Sequence, residues 1–422
     1  MLAIDDTGRA GRYGEGELDP HPWRGALLLG LLAVAIGMSV STWVALALGR
    51  GGWWIPGDAW SSLRAAHYIP MGTYPLIYET GTIRDVYVAG PLLPLLLAPV
   101  AVISNGFRMH ESYPLAQQYP NSWLVFGPYA LACAVPLLYA ARALATQAGI
   151  RAGRVATQVV FLVLVFVPIA VVYGHYEDVL AVALLCLGFR DLFAKRELRG
   201  ALWITGAILF KQWAILAVPI YVAACPRPLW RRAAINCLVP AAVVMGFFLA
   251  ADYKYASRAL LHPPTYPQIG HAALWISAAS QYQKDVPARW GGVVLACVLA
   301  WMIHRRPDPA VVITALGCAL FGRVLFESVL HGYYLAPGIA FLVLGDQLHG
   351  RPIVTKVTIG ALALLMFPLH PQRLLWWAVF YALAAALVAG PLRDLARHAR
   401  QTAASEPSSA RQSSMPTGGA QR

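Results

Sequence analysis

The stretch YGHYEDVLA, residues 173–181, brings His175, Glu177 and Asp178 within four positions of one another. An imidazole beside two carboxylates can take, hold or pass a proton. The flanks are oily: VVFLVLVFVPIAVV precedes the stretch and LAVALLCLG lies within and after it. Two roles fit. Carboxylates at a helix start cap its unpaired N–H groups and favour its dipole, so Glu177 and Asp178 can simply open a helix near 178. Alternatively the group forms the rim of an active site between two membrane helices, with His175 as a hydrogen-bonding member.

Asp58 is the next candidate. It lies in WWIPGDAWSS, about ten residues beyond the first apolar segment, among Trp53, Trp54 and Trp60. Interfacial tryptophans with an ordinary loop carboxylate are the plain reading, and a general base is the chemical one. Glu79 and Asp85 are alternative carboxylates of the same stretch, ranked behind Asp58 by its position after the first helix. Two cations stand in apolar surroundings: Lys211 in ILFKQWAIL and Arg323 in LFGRVLFESVLHGYY. A charge at membrane depth is expensive and usually faces a cavity or a partner. The planar fork of Arg323 suits phosphate oxygens, with His331 and Tyr333 close by in sequence; a pair with Glu327 at i+4 is the structural alternative. No P-loop, dinucleotide-binding glycine pattern, HExxH zinc motif or G-x-S-x-G elbow is visible, and the six cysteines (133, 186, 225, 237, 297, 318) show neither CxxC nor Cys/His ligand spacing. No metal ligands are assigned, and a divalent cation is left open.

These residues need a scaffold, and composition supplies its class. Of 422 residues 58% are hydrophobic and 13% charged, and mean hydropathy is +0.56. Apolar segments are expected at about 26–48, 88–104, 123–145, 156–173, 178–194, 200–224, 232–251, 290–303, 309–325, 332–346, 353–369 and 374–392. About 20 helical residues cross a bilayer core of about 30 Å. The fold class is therefore all-α: a polytopic membrane protein with about ten to twelve transmembrane helices, some broken or re-entrant. Residues 1–25 read as a cytoplasmic tail without a cleavable signal. Residues 26–392 read as the membrane domain, with outer loops 49–87 and 252–289, and 393–422 as a disordered cytoplasmic tail. The net charge of +13 would suggest nucleic acid in a soluble protein. Here Lys and Arg fall in short connections and tails, which excludes that class and fits the membrane rule for cytoplasmic segments.

The basic clusters Arg151/Arg154, Lys195/Arg196/Arg199, Arg227/Arg231/Arg232, Arg305/Arg306 and Arg351/Lys356 can all be cytoplasmic if two apolar segments do not cross. One is 88–104, rich in proline. The other is 200–224, split near FKQW into two half-helices that return to the same side. About ten helices then cross, both termini are cytoplasmic, and Asp58, His175, Glu177, Asp178 and ESVLHGYY share the outer face. If 88–104 spans, the topology after it inverts.

GDAW, the tyrosine-rich YIPMGTYPLIYETG, GHYEDVLAVALL and GAILFKQWAILAVP together resemble the GT-C superfamily of membrane glycosyltransferases. The branch they resemble includes actinobacterial polyprenol-phosphate-mannose-dependent mannosyltransferases. The resemblance covers roughly residues 26–345. Tyr176 stands where the family often has Pro, and VAGPLLP stands near the place of its YPP. The resemblance implies transfer of a sugar, mannose or another hexose, from a polyprenyl-phosphate donor to a glycolipid or polysaccharide acceptor. The reaction would occur on the outer face of the plasma membrane, with inversion and with Asp58 as catalytic carboxylate. Lys211, Arg323, His331, Tyr333, His175, Glu177 and Asp178 are then the expected substrate-binding residues. The expected partners are membrane lipid, the lipid-linked donor and the acceptor, and not nucleic acid. A transporter or flippase of a lipid-linked or small polar substrate is the rival of another class. It would carry its polar groups near the midplane, often in repeated halves, and no repeat is seen here. A non-catalytic membrane assembly protein is a weaker third.

Overall fold

The computed structural model describes residues 22–47, 57–79, 87, 89–106, 121–150, 152–260, 281–305, 307–326, 332–366 and 374–404. Every regular element among them is helical. In chain order these are α1 (Pro22–Ala47), α2 (Gly57–His67), α3 (Leu92–Gly106), α4 (Asn121–Gln147) and α5 (Ala152–Phe161). A π-helical turn, Leu162–Phe166, joins α5 to α6 (Val167–Tyr173). Then come α7 (Tyr176–Phe193), α8 (Glu197–Phe210), a 3₁₀ turn Gln212–Leu216, α9 (Ala217–Ala224), α10 (Trp230–Ala251) and α11 (Tyr253–Leu260). The chain continues through α12 (Gln281–Ile303), α13 (Pro309–Gly322), α14 (Gly332–Leu348), α15 (Pro352–Met366) and α16 (Leu374–Ala404).

Among the described residues, five helices are long and apolar enough to cross a membrane: Trp23–Ala47, Phe126–Gln147, Val155–Tyr173, Arg227–Ala251 and Ala378–Gln401. Leu28, Leu31 and Trp43 on α1, Val239, Val243 and Phe247 on α10, and Trp290, Val294, Val298 and Trp301 on α12 remain exposed. Water disfavours such continuous apolar faces and lipid covers them at no cost. This is an all-α, membrane-embedded architecture.

The broken segment expected at 200–224 is present and folds back. Helix α8 ends at Phe210, Lys211 is extended (φ −148°, ψ 122°), and the chain resumes as 3₁₀ and then α9. Tyr221, near the end of α9, donates its hydroxyl to the carbonyl of Glu197, at the start of α8. The two half-helices therefore form a hairpin whose tip is Lys211 and whose ends lie at one end of the bundle. Arg196, Arg199 and Arg227 share that end. There Asp191, fully buried, is paired with Arg190 at 2.6 Å and Arg199 at 3.1 Å and accepts from Trp203 at 2.9 Å.

Segment 88–104 is helical from Leu92 on, in the 15-residue α3, shorter than the ~20 residues a crossing needs, and α3 packs chiefly on α2. The stretch 49–87, expected as a loop, carries α2, whose residues from Ala59 to Leu63 are all buried. The stretch 252–289 opens with α11, and its last residues, from Gln281, already belong to α12. The tail expectation fails over its first part: helix α16 runs on to Ala404, through Arg393, Arg397 and Arg400. Ala, Leu and Arg there are strong helix formers. Leu395 is buried, and Asp394 meets Arg351 at 2.7 Å, so the extension has both propensity and a packing face. Residues 405–422 lie outside the described residues.

Candidate functional site

The sequence builds the site from three directions. Helix α6 ends at Gly174, whose left-handed conformation (φ 77°) L side chains rarely adopt. The following N–H, of His175, returns to the carbonyl of Ala170 at 2.9 Å, a Schellman-type stop. The next helix, α7, begins at Tyr176, so His175 is held in the two-residue turn Gly174–His175 between two helices.

The second direction is the hairpin tip, which brings Lys211 and Trp213 against α7. Lys211 Nζ is 2.7 Å from Glu177 Oε1 and 3.9 Å from Asp178 Oδ1. Trp213 donates its indole N–H to Asp178 Oδ1 at 2.8 Å. Neither carboxylate makes a side-chain cap to its own helix start; the N-cap is His175, and it has no side-chain cap bond. The capping role therefore gives way to one across the fold. Both carboxylates are almost fully buried, where charges persist only when paired.

The third direction is the tyrosine-rich first loop. Tyr74, Tyr78 and Tyr87 donate to the carbonyls of Pro91, Ala89 and Gly90. The N–H of Gly90 in turn binds the carbonyl of Phe210 at 2.9 Å, beside the hairpin tip. A Cβ at position 90 would lie 1.9 Å from the Leu209 carbonyl oxygen, so only glycine permits this approach. Phe248 of α10 meets the edges of Tyr74 and Tyr78. The loop is thereby fixed over the tip, and α2 delivers Asp58 to His175: Asp58 Oδ2 is 2.8 Å from Nε2.

A continuous network results. His175 Nδ1 is 2.7 Å from Glu177 Oε1, and its ring stacks on Tyr333 with centroids 3.8 Å apart. Tyr333 meets the edge of Tyr334, and Arg323 lies over both Tyr334 and Trp213, at 5.4 Å and 5.3 Å from the ring centroids. Asp58 is half-open to solvent, while His175 is 2% exposed. Burial works against a charged imidazole, but Glu177 and then Asp58 outweigh it and raise His175 to about 9. Protein around Asp58 pushes its carboxyl up, and the neighbouring His175 more than offsets this, holding it below the usual carboxylate range.

Seven of the eight expected site residues thus join one cluster: Asp58, His175, Glu177, Asp178, Lys211, Arg323 and Tyr333. His331 and Asp85, and with them Glu327, lie outside the described residues. Glu79 is instead next to Tyr68, whose hydroxyl donates to its carbonyl at 2.7 Å. Sequence reading missed Trp213 and Tyr334 as site residues. Their signal was adjacency: one follows Lys211 by two positions and the other follows Tyr333 directly. Among the described residues no group of three or more His, Cys, Asp or Glu is placed to hold a metal ion.

Chemically, the cluster offers a carboxylate open to solvent, backed by an imidazole with its own carboxylate partner. It also offers a guanidinium flanked by aromatic rings. No family model and no curated protein matches the chain.

Proposed function

We propose that this protein is a GT-C-type membrane glycosyltransferase that uses a polyprenyl-phosphate sugar. Asp58 is its general base. The acceptor hydroxyl loses its proton to Asp58 as its oxygen bonds to the anomeric carbon. The bond from that carbon to the phosphate oxygen breaks, and the phosphate leaves with the electron pair. A single displacement of this kind inverts the anomeric centre. Arg323 stabilises the departing phosphate charge.

One observation carries the reading: the carboxylate of the first loop meets His175, and Arg323 belongs to the same cluster. The hairpin at Lys211 is a second support, because its two ends meet and its flanking residues Arg196, Arg199 and Arg227 lie away from the tip. In this reading about ten helices cross the plasma membrane and the Asp58 end faces outward.

The test is transfer of labelled sugar from polyprenyl-phosphate mannose, or another polyprenyl-phosphate hexose, to lipid or glycan in membranes carrying the protein. Asp58→Asn keeps the size and removes the basicity, so transfer should fall by roughly 10²–10⁴. Transfer near the wild-type rate in the variant would overturn the role of Asp58. Movement of an intact lipid-linked sugar across the bilayer, with no glycosidic bond made, would favour a transporter instead.

A further inference from the structure

His175 is contacted on both sides by carboxylates. Nε2 faces Asp58 Oδ2 at 2.8 Å, and Nδ1 faces Glu177 Oε1 at 2.7 Å. A neutral imidazole carries one N–H. Nδ1 is hydrogen-bonded to its carboxylate, whereas Nε2 lies at ion-pair distance from Asp58 without the alignment of a hydrogen bond. A neutral ring would leave one of these two nitrogens as a bare lone pair beside a carboxylate oxygen, and the doubly protonated ring sets a positive charge beside both. Lys211 Nζ is 3.4 Å from Nδ1 but 2.7 Å from Glu177 Oε1, so its ammonium is turned to the carboxylate.

Among the described residues, the groups around the ring come from several elements. Asp58 comes from α2, Glu177 and Asp178 from α7, Lys211 from the hairpin tip, and Tyr333 from α14, with Tyr173 of α6 against Tyr333. Arg323 is reached through Tyr334 and Trp213. Asp58, Glu177 and Asp178 balance Lys211, Arg323 and a charged His175. Among the described residues, a neutral ring would leave this cluster one negative charge in excess, in a low-dielectric place where that is costly.

We propose that His175 is a standing imidazolium that keeps Asp58 ionised and aimed while an anionic donor is bound, and that Lys211 is a positioning residue acting on it through Glu177. An anionic phosphate near Asp58 would otherwise favour protonation of the base and so disable it. The ring holds Oδ2 and leaves the other oxygen of this half-exposed carboxylate to the acceptor hydroxyl. The role toward Asp58 rests on the glycosyltransferase reading; the charge state of the ring does not.

The experiment is ¹⁵N NMR of the full chain with histidine-selective label in lipid nanodiscs. A His175→Gln sample identifies the ring signals among the 11 histidines. Both ring nitrogens should carry protons at pH 7.5, and one should be released with a midpoint near pH 9. Glu177→Gln should lower that midpoint by about one pH unit or more, since an opposite charge in contact has that order of effect. Asp58→Asn, at the half-exposed position, gives a second test if the buried variant folds poorly, and should shift it the same way. A neutral tautomer in the wild type at pH 7.5, or a midpoint unmoved in the variants that fold, would overturn the proposal. If the ring is charged but Asp58→Asn membranes still transfer sugar, the charge state stands, while Asp58 as base and the role built on it fall.

Discussion

Lys211 Nζ and Glu177 Oε1 meet at 2.7 Å, the first from the tip of a broken hairpin and the second from the first turn of α7. Both side chains are deeply buried, so each depends on the other. Removing one partner of a buried pair costs about 3–5 kcal/mol, whereas replacing both is often nearly neutral. Lys211→Met should lower thermal stability in detergent sharply, and Lys211→Met/Glu177→Gln should recover much of the loss. A double variant no more stable than the worse single one would count against the pair as the tie between tip and helix.

Arg323 is held between the faces of Trp213 and Tyr334. Lysine keeps the charge and loses the planar fork and the stacking. If Arg323 binds the donor phosphate, Arg323→Lys should weaken affinity for a polyprenyl phosphate about tenfold or more, the loss of one charge-assisted hydrogen bond. Thermal unfolding should change little. Unaltered donor affinity would remove Arg323 from the binding site and leave it a packing residue.

The fold should weaken with alkali through His175. The ring titrates near 9 in the folded chain and near 6.5 when free, so the folded form binds the proton more tightly. Its contribution is complete below about pH 6.5, declines as pH rises through about 9, and is lost above that. The melting temperature of the wild type should therefore fall between pH 6.5 and 9.5. His175→Gln should start lower and fall less steeply; equal slopes for the two would contradict the assignment.

Sidedness can be read by thiol labelling. Glu177 is too buried for a reporter, but Met71 of the first loop and Arg196 at the far end of the hairpin are exposed. In a background with all six cysteines replaced, Met71→Cys should react with an impermeant reagent in intact cells. Arg196→Cys should react only after lysis. The opposite pattern would turn the Asp58 end to the cytoplasm.

The sequence by itself determined the class and the chemical inventory. Apolar runs of membrane length dictate helices, because backbone groups in lipid can be satisfied only within a segment. The isolated charges Lys211 and Arg323 stood out because such surroundings tolerate a cation only with a partner. Even the reversal at FKQW was legible, since the basic clusters on both sides of 200–224 demanded an even number of passages. The extent of α16 was not: a Ser- and Gln-rich end looks disordered, whereas in the fold Arg351–Asp394 and the buried Leu395 give the helix something to hold. Nor was the wiring of the site. Asp178 reads as a helix cap until Trp213 arrives from another element to claim it. Local spacing records which neighbours a residue has along the chain. Only the packed fold decides which polar group lies within hydrogen-bond reach of a buried charge, and at that depth this contact, rather than the helix start, sets what the charge does.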